Sequence, residues 1–248
     1  MNRFFHLWRR ELGAIYRTSI AYVVGVFFLL ITGFSFWTLA SRLVQGAAPG
    51  LATITLAASP WLWLAMLVAT PLLTMRLFAE ERRLGTLELL LTAPVTETEV
   101  VLAKFAGAYA AFLVCWLPTT TYLPILKLCG APLPPIDWGL LAAGYFGIAL
   151  IGAFFLAVGL VCSLLTRHQA VAAMSCLAAL GLLLAASALP LLGHSEPIRQ
   201  AARAVAPPLH MREFAGGIVD TRAVVWYASA TALLLFASIR ILEARRLR

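Results

Sequence analysis

The stretch Phe78-Ala79-Glu80-Glu81-Arg82-Arg83-Leu84-Gly85-Thr86-Leu87-Glu88-Leu89-Leu90-Leu91-Thr92-Ala93-Pro94 carries five of the chain's thirty charged residues within nine positions, Glu80 to Glu88. It lies between two apolar runs that are almost free of charge. In so apolar a chain, charge gathers at a turn where something soluble must meet a membrane-embedded body.

The composition on either side supports that division. Hydrophobic residues fill 62% of the 248 positions and charged residues 12%, with a mean hydropathy of +0.90. Soluble domains run at about 25% charged and 45–50% apolar, so the apolar surface here exceeds what one aqueous core could hide. Charge-free windows of 24, 33, 22, 29, 28 and 17 residues follow one another along the chain. A bilayer core of ~30 Å needs about 20 helical residues, within a range of roughly 17–25. The windows predict six transmembrane helices, near 19–40, 57–77, 101–124, 139–165, 170–192 and 222–241, the last being the shortest. Continuous apolarity rather than two-residue alternation selects helices over a barrel.

Six spans place both termini on one side. That side holds thirteen Lys and Arg residues and the other six, four of the six in one long loop. By the positive-inside rule both termini are expected in the cytoplasm. The first apolar run is too long for the 7–15-residue core of a signal peptide. The net charge of +8 falls at helix ends, where it meets lipid headgroups and calls for no nucleic acid.

Residues 2–17 place Phe4, Phe5, Trp8, Leu12 and Ile15 at helical spacing, with Arg3, Arg9, Arg10 and Arg17 elsewhere. This pattern predicts an amphipathic helix in the membrane interface. In the loop 78–94, Leu77, Leu84, Leu87 and Leu91 form one helical stripe, predicting a short helix that presents charge to the cytosol until Pro94 ends it. Thr96-Glu97-Thr98-Glu99 reads as a capping box opening the third span. Pro118 and Pro124 bracket Thr119, Thr120 and Thr121 in the outer half of that span, predicting a kink and a possible substrate path. Gly144, Gly147, Gly152 and Gly159 stud the fourth span and predict close helix packing. The segment 193–221 forms the longest outer loop, with short helices expected near or dipping into the outer leaflet.

Several chemistries are missing. No G-x-x-x-x-G-K-[ST] and no H-E-x-x-H occurs. His6, His168, His194 and His210 are scattered, and Cys115, Cys129, Cys162 and Cys176 lack metal-ligand spacing. No metal site and no enzymatic activity is expected. Ion-driven carriers place ionisable residues within their spans, whereas the charges here sit at span ends, so the energy source is expected outside this polypeptide.

Two motifs carry a family resemblance. Glu80-Glu81-x-x-x-Gly85-Thr86-Leu87-Glu88-x-Leu90-Leu91-x-x-Pro94-Val95, followed by Glu99-Val100-Val101-Leu102-Ala103-Lys104, resembles the signature of ABC-2-type transporter permeases. The stretch 208–220, containing His210, Glu213, Phe214, Gly217 and Asp220, looks like that of the family's gliding-motility-associated branch. The resemblance covers nearly the whole chain. It implies a single all-α transmembrane domain over 1–248, in a bacterial inner membrane, paired with a separate ABC ATPase subunit. ATP and Mg would belong to that partner, with no cofactor in this chain. A second permease copy, most simply identical, and an accessory subunit with a large extracytoplasmic domain are the further implied partners. The family's first cytoplasmic loop carries a coupling helix, which maps here onto Glu80, Glu81, Arg82, Arg83, Gly85, Thr86 and Glu88. An alternative is a membrane anchor that transmits work to extracytoplasmic partners without moving a solute.

Overall fold

The computed structural model describes residues 2–44, 59–85, 96–128, 137–187 and 204–246, and all regular structure among them is helical. The helices are α1 (Asn2–Arg17), α2 (Ser19–Val44), α3 (Pro60–Thr74), α4 (Ala79–Leu84), α5 (Glu97–Trp116), α6 (Tyr122–Leu128), α7 (Trp138–Leu165), α8 (Gln169–Ala186), α9 (Pro207–Ala215) and α10 (Thr221–Arg246). A 3-10 segment, Leu117–Thr121, joins α5 to α6.

Among the described residues, six stretches are long and apolar enough to cross a bilayer: Ala21–Arg42, Pro60–Leu84, Glu97–Thr121, Trp138–Leu165, Gln169–Ala186 and Thr221–Ala244. The last is not the shortest, contrary to the count of uncharged residues. It runs for 24 residues, because Arg240 continues the helix while reaching Glu243 at 2.9 Å and lying over the Phe236 ring. Long basic side chains can follow an apolar stem toward the interface without ending a helix, so counting uncharged residues underestimates such a span.

Local chemistry sets the helix starts. Ser59 accepts the Trp61 N–H with Pro60 at the first helical position, and Asp137 accepts the N–H groups of Gly139 and Leu140. The capping box is formed in full: Glu99 Oε2 accepts the Thr96 N–H at 3.0 Å, and Thr96 Oγ1 accepts the Glu99 N–H at 3.3 Å. Helix α1 turns its Leu7, Trp8, Leu12 and Ile15 side inward and leaves Arg9, Arg10 and Arg17 exposed. It packs along α5, where a Cβ built on Gly107 would stand 3.2 Å from that of Glu11.

Helix α7 is the centre of the bundle. Lipid supplies no hydrophobic drive between helices, so contact there depends on shape and on small residues. Gly152 receives the Phe112 ring and Gly159 receives Thr74, each so closely that no Cβ could be added. At Gly147 a Cβ would lie 2.7 Å from Phe214 of α9. Gly144 is different: a Cβ there meets only Ala215, at an ordinary 3.9 Å. Cys115, Cys162 and Cys176 are free, and Cys176 is fully buried as an apolar filler.

We expect Gly152→Val to lower the stability of the detergent-solubilised protein by about 1–3 kcal/mol, the usual cost of overpacking, with an earlier loss of monodispersity on heating. Gly144→Ala should leave the same melting profile unchanged. Equal sensitivity at both positions would remove α7 from the centre of the packing.

Candidate functional site

The charged turn begins where α3 ends. Between Thr74 and Ala79 the backbone leaves helical hydrogen bonding, and Ser163 of α7 repairs the gap. Its hydroxyl accepts the N–H groups of Phe78 at 3.1 Å and Ala79 at 3.2 Å, and donates to the Met75 carbonyl at 3.2 Å. Ser163 thus caps α4 from another helix, since Phe78 at the N-cap position offers no side-chain acceptor. Three residues further on, Arg82 Nη1 donates to the carbonyls of Leu164 at 3.0 Å and Thr166 at 3.1 Å. A guanidinium suits the carbonyl end of α7, where the helix dipole is negative.

A second tie runs through α5. Lys104 is 2% exposed, and its Nζ donates to Glu81 Oε1 at 2.7 Å and to Glu11 Oε2 at 3.1 Å. The Phe78 ring lies 5.4 Å from the ammonium, within cation–π reach. One buried cation therefore joins α1, α4 and α5, three elements far apart in sequence.

These contacts divide the residues expected at the coupling helix. Glu81 and Arg82 are engaged with the chain's own helices. Glu80 is half-buried and reaches Arg76 at 3.9 Å. Arg83, Leu84 and Gly85 are exposed, and Leu84, at 62% exposed, does not share the buried side of Leu77. The expected end at Pro94 lies outside the described residues; helix α4 itself ends earlier. It closes at Gly85, whose φ of +70° is the left-handed cap that favours glycine. Nothing described lies within 4 Å of a Cβ placed there, so conformation rather than crowding calls for glycine. Thr86 and Glu88 lie outside the described residues.

Glu11, Lys104 and Ser163 were not singled out among the sequence candidates. One signal was present: Glu11 is the only acidic residue before Glu80, in a helix otherwise rich in arginine. A serine near the end of an apolar span carries no such mark.

The opposite end holds the other candidates. Thr119 is buried, donates to the Trp116 carbonyl at 2.7 Å and shares a 2.7 Å hydrogen bond with Tyr145. Thr120 and Thr121 are exposed and donate to the carbonyls of Leu117 and Pro118 in their own turn. Pro118 lies within the 3-10 segment and Pro124 within α6, so the expected kink takes the form of a 3-10 break between two α-helices. Of these five residues, Thr119 lines a cavity of about 90 Å³, walled also by Thr32, Trp116, Tyr122, Tyr145 and Met211.

Helix α9 lies along the N-terminal half of α7, with Met211 and Phe214 buried. One short helix therefore stands within the segment 193–221, of which residues 193–203 lie outside the described residues. Gly217 has φ +80°, and the Ile218 N–H returns to the Glu213 carbonyl at 2.9 Å, closing α9 in a Schellman turn. Asp220 Oδ1 accepts the Arg222 N–H at 2.8 Å at the start of α10, while Glu213 is exposed. His210 Nδ1 pairs with the hydroxyl of Tyr227, itself fully buried, at 3.0 Å. Burial holds the His210 imidazole below the usual histidine range, against the opposing pull of Glu213 and Asp220. No group of three or more His, Cys, Asp or Glu residues is placed to hold a metal among the described residues.

The model of a family described as ABC-2 family transporter protein matches residues 9–214, which take in the first five spans and α9 and stop before the last span. No curated protein matches the chain.

Two measurements probe the ties. Lys104→Met leaves Glu11 and Glu81 without their shared cation and should cost about 3–5 kcal/mol, as for a broken buried pair. The triple variant Glu11→Gln, Lys104→Met, Glu81→Gln should recover part of that loss in a thermal melt. On the other side, the lowered pKa of His210 means that the unfolded imidazole binds a proton first as the pH falls. Its stabilising contribution is full above the unfolded value of about 6.5 and is lost as the pH falls toward the lower folded value. Hydrogen exchange in 207–215, corrected for intrinsic rate, should accelerate on acidification in wild type and respond less in His210→Gln.

Proposed function

Because the chain belongs to the ABC-2 family of transporter proteins, we propose that it is the membrane permease of an ATP-driven transporter and that α4 receives the movement of a separate ABC ATPase subunit. Members of this family generally work with such a subunit, and the sequence offers no P-loop of its own. The observation that carries the reading is the division of the charged turn. Glu81 and Arg82 fasten α4 to three other helices, while Arg83, Leu84 and Gly85 face outward from the same short helix. A docking element needs both properties: an exposed tip to be gripped and a rigid root to pass the movement on.

In this reading the basic end faces the cytoplasm of a bacterial inner membrane, both termini lie there, and two copies of the chain enclose one pathway. ATP and Mg sit on the ATPase subunits. The motif around His210, Glu213, Phe214, Gly217 and Asp220 supports placement in the gliding-motility-associated branch, and α9 offers a surface for an accessory subunit with an extracytoplasmic domain. The 3-10 break at Leu117–Thr121 gives the third span a place to bend as the two ends move.

The test is co-purification of the full chain with its candidate ATPase subunit in detergent that preserves complexes. Arg83→Glu should weaken retention of the ATPase by about tenfold or more, the worth of ~1.4 kcal/mol, with an unchanged melting profile because Arg83 is exposed. Retention that is intact in Arg83→Glu and in Leu84→Asp would move the docking surface elsewhere. A folded wild-type chain that holds no ATPase would overturn the permease reading and favour the anchor.

A further inference from the structure

At the basic end, a cavity of about 310 Å³ opens between α1, α2 and the end of α3, far above the ~10–15 Å³ that admits one water. One wall is apolar and formed by Val24, Leu72, Leu73 and Leu77. The other is ionic, with Arg10, Arg76 and Lys104 set among Glu11, Glu80 and Glu81. Polarity therefore changes from charged to apolar along a single crevice. It does so where the span ends bring their charges to the headgroup layer. Water filling such a space would be held against the leucines at a cost, and a hydrocarbon chain alone would leave the charges undressed.

The ionic wall is not internally satisfied. Lys104 is committed to Glu11 and Glu81. Arg76 reaches Glu80 only at 3.9 Å, well beyond the roughly 2.7–2.9 Å of a charge-assisted hydrogen bond. Arg10 is exposed and forms no ion pair among the described residues. Two guanidinium groups with spare donors thus stand beside a carboxylate at the mouth of an apolar slot. A phosphate diester complements Arg10 and Arg76, an ammonium group complements Glu80, and an acyl chain complements Val24, Leu72 and Leu73.

We propose that this cavity binds one zwitterionic aminophospholipid from the leaflet at the basic end, its headgroup on Arg10, Arg76 and Glu80 and one acyl chain between α2 and α3. The six ionic side chains carry three positive and three negative charges, so a zwitterion enters without adding net charge. A headgroup of net negative charge would add one beside Glu11, Glu80 and Glu81. Basic pockets between spans attract anionic lipids; the carboxylates here select against them. The lipid becomes a wall shared by α1, α2 and α3, and its headgroup borders the Glu11–Lys104–Glu81 tie. None of this depends on the ATPase partner, so the permease reading and the lipid site stand or fall separately.

The experiment is native mass spectrometry of the full chain in detergent, titrated with phosphatidylethanolamine or phosphatidylglycerol of matched acyl chains. We expect one phosphatidylethanolamine to survive activation that strips other lipid, with phosphatidylglycerol retained about tenfold less. Arg10→Glu should lower phosphatidylethanolamine retention about tenfold, near the worth of a charge-assisted contact, without altering the melting profile. Leu73→Trp fills the slot and should abolish retention; its folding is checked by the same melt, and the Arg10 variant decides the matter if it misfolds. Equal retention of both lipids, preference for phosphatidylglycerol, or indifference to Arg10→Glu would overturn the proposal. Displacement of the lipid by millimolar inorganic phosphate would identify a free anion as the occupant and overturn it as well.

Discussion

Inside a bilayer a backbone that leaves the helix has no water to take its amides and carbonyls, and each group left open costs several kcal/mol. The second span breaks after Thr74 among residues buried from solvent, and the arrangement of the charged turn follows from how the break is satisfied. Ser163 takes the amides of Phe78 and Ala79 and gives its proton to Met75. Arg82, one turn along, takes the carbonyls that α7 leaves open at its own end. Two helix termini thus complete one another, so the position of α4 is fixed by α7 and not by its own six residues, far too few for an isolated helix to persist.

The Lys104 tie obeys a different economy. Burying one ammonium and drawing two carboxylates toward it carries a desolvation penalty that the attraction repays only with good geometry. Contacts of 2.7 and 3.1 Å supply that geometry, and the Phe78 face adds a further contact for the cation. An apolar trio could hold the same helices with less penalty. The ionic one differs by being directional: it ties α1 to α4 across α5, and a shift of either carboxylate is felt by the other through one nitrogen. Gly107 makes the approach of α1 possible by leaving room for the Cβ of Glu11.

Much of this architecture was legible in the sequence. Apolar windows located all six spans, the Thr96–Glu99 spacing foretold a complete capping box, and Gly147, Gly152 and Gly159 marked the faces where Phe214, Phe112 and Thr74 enter α7. These features are local, or they follow from the chemistry of one residue type. The misreadings share another origin. Leu84 was placed on the stripe of Leu77 but lies exposed, at the end of a helix that closes on the left-handed backbone of Gly85. Arg240 closed a charge-free window but not the helix. The roles of Glu11, Lys104 and Ser163 depend on which helix lies beside which, and a pattern of 3.6 residues per turn does not contain that information. A candidate coupling set could be nominated residue by residue; the division of Glu81 to Gly85 into inward and outward members could not.

That division has a mechanical consequence. A load applied at the exposed turn of Arg83 to Gly85 cannot be absorbed by bending α4, because its first turn is held by Ser163 and its middle by Arg82 and Glu81. It passes to α7 through Ser163 and Arg82, and to α5 and α1 through Lys104. Helix α7 is close-packed on neighbours at Gly147, Gly152 and Gly159, and interiors packed to that density transmit strain rather than yield to it. Helix α5 offers less resistance, since beyond Trp116 it gives way to a 3-10 segment whose hydrogen bonds are of poorer geometry. Under the proposed coupling, movement entering both helices together would tilt α5 relative to α7, which the Thr119–Tyr145 hydrogen bond joins at the end away from α4. The cavity beside that bond, bordered by the 3-10 segment, α7 and α9, leaves space there for such a tilt.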